Sequence, residues 1–370
     1  MTTLLSWEFA SALASSFAVC AFLVVTQRWH GRFSLDHDLN GVQKIHTIPV
    51  PRVGGLGLLL GLFVAIVIGY TENSKTYPTA LILLACAAPV FVTGFAEDLT
   101  KKISIRTRLL ASFVSAAAAI WLLDARLLNL DTAILDALLS YHAVSVLFTV
   151  FAVGGVTHSI NIIDGLNGLA AGAVSIMLAG LGTLAWMHGD HMVMEMCLLG
   201  IAAMGGFMIL NYPFGRIFLG DGGAYLAGFW LAECAVLLLV RNPSVSTWGV
   251  LLACFYPVWE TVFSMYRRRV YQRVNSGNAD MGHLHQLVYC SLQTQKSGSH
   301  QRPSWLRHGL ASATIWGLTL GCQVLALTEN ANPVALVFGV IGFALIYCLL
   351  YSALAPSKNE RIPTVHATNG

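Results

Sequence analysis

The sequence predicts an all-α, polytopic integral membrane protein, and three observations predict it. Hydrophobic residues fill 56% of the 370 positions and charged residues only 11%, where a soluble domain carries about 25% charge. Mean hydropathy is +0.68. Apolar runs, each bounded by Pro, Gly, Asn or charge, recur along the whole chain at lengths near the ~20 residues that a bilayer-crossing helix needs. So much apolar chain leaves no room for a separate soluble domain, and residues 1–370 read as one membrane-embedded domain whose chemistry must be built from short loops. The net charge of +3 is the small difference between 21 basic and 18 acidic residues, so no nucleic-acid partner is expected.

Eleven spans follow in order. The first, 4–26, lacks a basic leader and a small-residue cleavage site, so it reads as a retained helix rather than a signal peptide. Residues 53–70 start at a Gly pair, 78–95 start at a Pro and end before Glu97 and Asp98, and 109–123 and 143–158 are shorter runs with looser ends. Residues 169–187, 192–210, 224–240, 248–265, 309–327 and 333–354 are continuous apolar stretches. An odd count puts the two termini on opposite sides. With the N-terminus outside and the C-terminus cytoplasmic, 18 of the 21 Lys and Arg residues face the cytoplasm, leaving Lys75, Arg126 and Arg241 outside, and the positive-inside rule selects that orientation.

Cysteine carries no framework: seven of the eight lie in apolar runs and Cys290 is alone in a loop, so they read as packing thiols. The outer segment 124–142 holds Asp124, Asp131, Asp136 and His142, which read as solvated acids. The unusual polar residues concentrate in the predicted cytoplasmic loops 27–52, 96–108, 159–168, 211–223 and 266–308.

Five strings there can carry chemistry. Lys44-Ile-His46-Thr-Ile-Pro-Val-Pro-Arg52 leads into Gly54-Gly55, so fixed cations and a close backbone approach meet at a helix start, an arrangement suited to phosphate or simply to a proline-capped positive flank. Glu97-Asp98 ends a helix, where acids oppose the macrodipole unless something cationic faces them. Asn161 and Asp164 share one helical face ahead of Gly165 and Asn167-Gly168, fit to present oxygen ligands or to form a turn. Asp221 stands among glycines in Gly220-Asp-Gly-Gly, able to cap a helix or to hold a metal. Last come Arg267-Arg268-Arg269, an anionic-lipid anchor by default, and Asp280-Met-Gly-His283-Leu-His285, whose histidines suit phosphate better than zinc. Glu233 and Glu260 lie inside spans, where an acid is costly; Glu260 reads as a partner for the Arg run.

In order and on one predicted side, these five strings resemble the polyprenyl-phosphate N-acetylhexosamine-1-phosphate transferase family. The resemblance covers about residues 44–286 and departs from the family in Glu97, Glu260 and Gln286, where Asp, Asp and His are usual. It implies a helical membrane enzyme of the bacterial cytoplasmic membrane that moves a sugar phosphate from a UDP-sugar to polyprenyl phosphate with Mg2+, or Mn2+ in its place, and that can form a homodimer. It implies Asp221 and Asn161 at the metal, Asp98 with Glu97 at the acceptor phosphate, and Asp164 in the uridine or metal surroundings. Lys44, His46, Arg52, Asn167, His283 and His285 would contact substrate, while the donor sugar stays open. The rival reading is a secondary transporter with Glu233 and Glu260 as coupling-ion residues.

Overall fold

A computed structural model describes residues 7–35, 49–70, 76–272, 282–293 and 302–355, and these are helical with no strand among them. In chain order the helices are α1 (Trp7–Val25), α2 (Gln27–Ser34), α3 (Gly55–Gly69), α4 (Thr76–Cys86), α5 (Ala88–Thr100), α6 (Ile105–Leu123), α7 (Ala133–Leu139) and α8 (His142–Ile163). They continue with α9 (Leu169–Met187), α10 (His191–Asn211), α11 (Gly220–Arg241), α12 (Thr247–Ala253), α13 (Phe255–Tyr266), α14 (Leu284–Ser291), α15 (Ser304–Thr328) and α16 (Pro333–Leu354). A π-helical turn, Arg267–Gln272, extends α13.

Eight of the described helices are long and apolar enough to cross a membrane, up to ten if the bent pairs α4–α5 and α12–α13 each make one span, and α3 is a shorter apolar helix. The protein is thus an all-α polytopic membrane protein, and each of the eleven apolar runs coincides with one of these helices or pairs. The bends, 47° in the first pair and 76° in the second, fall just before Pro89 and Pro257. A proline lacks the N–H that would continue the hydrogen-bond ladder across the break.

Helix ends differ from the expectation in a consistent way. α5 runs on to Thr100, α8 to Ile163, α6 starts at Ile105 and α11 at Gly220, so Glu97, Asp98, Asn161 and Asp221 lie on helix ends rather than in loops. Hydropathy stops where polar residues begin, but the backbone ladder does not. Ser104 explains one case, since its side chain accepts the Thr107 N–H and caps α6 four residues ahead of the apolar run.

The core is organised around α11, buried along nearly all its length as far as Leu238 and packed against α3, α5, α8, α9 and α10. Missing side chains make that possible. A Cβ on Gly94 of α5 would sit 2.8 Å from the Gly222 backbone, and one on Gly55 of α3 would collide with the Gly223 nitrogen. Backbone contacts this close need glycine.

At the opposite end, polar residues act as fasteners. Asp131 accepts the Ser246 hydroxyl at 2.6 Å and the Thr247 N–H at 2.8 Å, and Asp136 accepts the Leu130 and Thr132 N–H groups. These two acids are therefore structural, where the sequence suggested solvated ones. Asp190 caps α10 through Val193 and takes the guanidinium of Arg241 with two hydrogen bonds, 2.7 and 3.1 Å, tying the last turn of α11 to the first of α10. Burial pushes the Asp190 carboxyl upward, but bonds from Arg241, Asn242 and the Val193 N–H outweigh it and hold the group below the usual 3.8.

A carboxyl with a depressed folded pKa contributes stability that is present above the ordinary value and lost as pH falls through the folded one. Asp190→Asn should therefore lower the melting temperature at pH 7, and the gap from the parent should begin to shrink as pH falls below about 4 and vanish only below the folded value. Melting curves in detergent across that range check it; a gap independent of pH would remove the ion pair from the account.

Candidate active site

The site is assembled at the head of α11. The first N–H groups of a helix have no partner inside it, and a buried helix start must find acceptors elsewhere. Asp98, on the last turn of α5, supplies them: Oδ1 accepts the Asp221 N–H at 2.8 Å and Oδ2 the Gly222 N–H at 2.9 Å. Its carboxylate also meets the positive end of the α11 dipole. Asp98 therefore does the capping that the sequence offered to Asp221, and the Asp221 side chain is left to face the site.

Three polar groups surround that side chain. Arg52 Nη2 lies 3.3 Å from Asp221 Oδ1 and 3.7 Å from Asp98 Oδ1. Asn161 Nδ2, on the last turn of α8, donates to Asp221 Oδ1 at 3.2 Å. Arg108, on the first turns of α6, pairs with Asp221 Oδ2 and lies over the Tyr225 ring. Arg108 was missed in the sequence reading because it looked like one more positive-inside residue. The available signal was its place inside the Ser104-capped start of an otherwise apolar helix, where a cation needs a partner.

Asp164 follows α8 directly. Burial pushes its carboxyl up to about 7, with Arg52 pulling it down and Asp221 and Asp98 pushing it further up. Asp98, Asp164 and Asp221 thus share one electrostatic field with Arg52. Among the described residues no three His, Cys, Asp or Glu side chains form a ready-made metal cage.

Other expected residues take different places. Glu97 Oε2 accepts the Ile103 N–H at 2.7 Å and closes the turn between α5 and α6, so the two acids of the pair do separate jobs. Asn167 is buried: Nδ2 donates to the Pro213 carbonyl at 2.9 Å and its backbone carbonyl accepts the Ser312 hydroxyl. Asn211 bridges the Gly168 N–H and the Ile217 carbonyl, fixing the same loop from the other side. Lys44 and His46 lie outside the described residues.

A histidine arm completes the arrangement. His283 Nδ1 bonds Glu260 Oε1 at 2.9 Å, while Glu260 Oε2 accepts the Leu284 N–H at the start of α14. Glu260 therefore orients His283, and the expected pairing with the Arg run is corrected: Arg267 instead donates to the Gly282 carbonyl and the Tyr351 hydroxyl. His285 stacks parallel to His283 with ring centres 5.5 Å apart and lies 3.4 Å from the Tyr256 hydroxyl. A Cβ on Gly165 would meet His285 Nε2 at 3.0 Å, so the histidine arm packs on the very loop that carries Asp164. Glu233 is fully buried in α11, and neither it nor Glu260 carries any feature that supports the transporter reading.

A many-helix membrane protein with carboxylates and arginines gathered at one helix head is built to handle phosphate-bearing substrates at the membrane edge. The sequence profile of glycosyl transferase family 4 matches residues 80–239. A probable undecaprenyl-phosphate N-acetylglucosaminyl 1-phosphate transferase of Bacillus subtilis is 27% identical over 251 residues, 66% of each chain. Undecaprenyl-phosphate α-N-acetylglucosaminyl 1-phosphate transferases of Yersinia pestis and Escherichia coli K12 are 24% and 25% identical, over 89% and 84% of this chain and 88% and 83% of theirs.

Replacing Asp98 by Asn leaves one oxygen for two buried N–H groups, which should cost about 1–3 kcal/mol. Glu97→Gln keeps an oxygen for Ile103. Thermal unfolding of the two variants should show a clear drop for the first and little for the second; the reverse order would contradict the capping role of Asp98.

Proposed function

We propose that this protein transfers an N-acetylhexosamine 1-phosphate from a UDP-sugar to polyprenyl phosphate, releasing UMP. The observation that carries the reading is Asp221 at the head of α11, held by Asn161 and two arginines with Asp98 behind it. The family and the names of its relatives support the reaction class, and they make N-acetylglucosamine the first donor to try.

The chemical obstacle is bringing one polyanion against another. A phosphate monoester has a second pKa of about 6, so the acceptor oxygen is already largely anionic at neutral pH and needs no strong base. That oxygen attacks the sugar-linked phosphorus, the bond from this phosphorus to the bridging oxygen breaks, and UMP leaves with the electron pair. The sugar C1–O bond stays intact, so the anomeric configuration persists. Arg52 and Arg108 offset the charge of the two substrates, and the histidine arm is placed to donate to the donor's phosphate or sugar.

Oxygen donors Asp221, Asp164 and Asn161 suit magnesium, which takes one or two carboxylates plus substrate phosphates rather than a full protein cage. Bound there, the ion supplies charge neutralisation at the diphosphate. The field shared by Asp98, Asp164 and Asp221 fits a resident cation. The basic-residue distribution supports a site facing the cytoplasm of a bacterial inner membrane, with the N-terminus outside.

Purified protein with undecaprenyl phosphate and magnesium should exchange labelled UMP into UDP-N-acetylglucosamine, which no carrier can do. Asp221→Ala should abolish exchange at any magnesium concentration while the protein stays folded. Exchange near the parent rate in that variant would return Asp221 to a structural role, and silence of the parent with every UDP-N-acetylhexosamine would sink the reading.

Sidedness has its own test. Cys290 is half-buried and burial raises its thiol, so it is a poor reporter; cysteines placed at the exposed positions Lys102 and Asn129 serve better. An impermeant maleimide should reach the second but not the first in intact cells, and the opposite pattern would invert the topology.

A further inference from the structure

His158 is a polar residue that the site as described leaves out. It lies on α8 one turn before Asn161, half-buried, and its ring packs on Tyr225 with centres 4.8 Å apart. The register of the two helices puts it there. Asn161 bonds Asp221; one turn deeper His158 meets Tyr225; and next to His158 the Thr157 backbone would lie 2.8 Å from a Cβ on Gly228. α8 and α11 are therefore in closest contact just below the site, and His158 with Tyr225 forms its floor. Tyr225 is also the ring beneath Arg108.

The His158 Nε2 atom is shielded from solvent and has no hydrogen-bond partner among the described residues. A desolvated nitrogen without a partner is unfavourable, and phenylalanine could fill the same place against Tyr225 without it. The imidazole also has a hydrogen bond with the Arg108 backbone, so packing and that bond account for the ring and one nitrogen but not for Nε2. The charged groups that act on the imidazole are Arg108 and Asp221, the same two that face the substrates.

Resting on the transferase reading above, we infer that His158 binds a phosphate oxygen of a substrate through Nε2 at the deep end of the site. The bodies of α8 and α11 are apolar spans, so one turn below Asn161 leads toward the hydrocarbon, whichever face the site opens on. A phosphate tethered to a polyprenyl chain arrives from that side, whereas a nucleotide-sugar arrives from water. The nitrogen lies beside Arg108 and Tyr225, and an imidazole nitrogen can give or take the hydrogen bond according to its tautomer.

Two substitutions separate binding from packing. His158→Phe keeps the ring against Tyr225 and loses the nitrogen; His158→Gln loses the ring and keeps an amide that can give or take a hydrogen bond. In the UMP-exchange assay with undecaprenyl phosphate and UDP-N-acetylglucosamine, the Phe variant should keep the parent melting temperature but raise the KM for the lipid phosphate about ten-fold or more, the size of a lost hydrogen bond to a charged group. Gln should recover most of that loss. A rise in the KM for the UDP-sugar alone would support the binding role and assign the oxygen to the donor. Parent-like values in the Phe variant, or Gln no better than Phe, would overturn the inference. Should the Phe variant fail to fold, His158→Met carries the same comparison with a more adaptable filler. The parent, run alongside, reports on the functional reading separately.

Discussion

Two backbone N–H groups and one carboxylate hold the site together. The start of α11 is buried, so its first donors cannot turn to water, and Asp98 takes two of them. That bond fixes α5 against α11 at the separation the Gly94 and Gly222 backbones allow. Everything else is placed relative to this junction. Asp221 is turned outward because another residue does the capping, and Arg52 spans both carboxylates because they lie on either side of one helix head.

The electrostatics follow from the same junction. Asp98 and Asp221 raise the cost of ionising Asp164, and Arg52 offsets that cost without cancelling it, while Arg108 pairs with Asp221. Such a cluster is poorly suited to being a purely structural centre, where paired charges of equal number would serve better. It suits a site in which a cation and phosphate oxygens complete the balance. The histidine arm repeats the logic at smaller scale: Glu260 is buried, yet its two oxygens are taken by His283 and the Leu284 N–H.

Most of this architecture was legible in the chain because a bilayer imposes long apolar runs, and every such run became a helix or a bent pair. Helix ends were less legible, since Glu97, Asp98, Asn161 and Asp221 are polar residues on helical backbone and composition cannot distinguish that from loop. The acids of the site were visible by their bracketing with glycine and asparagine. Their pairings were not: Glu260 and His283 are 23 residues apart, and Arg108 and Asp221 are 113 apart. Asn167 shows the converse difficulty, a residue in a site-like string whose side chain turns to the Pro213 carbonyl instead.

That long separation bears on how the molecule is made. Arg108 is synthesised 113 residues before Asp221, and at about 5–20 residues per second the interval is roughly 6–23 s. Throughout it, Asp98 faces no helix start and Arg52 and Arg108 face no Asp221, so the early spans carry mismatched charge at the membrane edge. The insertion machinery, or water at the lipid headgroups, must shelter them until α11 arrives. Biogenesis of this protein is thus governed by one late helix, and a ribosome that stalls between α6 and α11 leaves behind a half-assembled centre rather than a smaller working one.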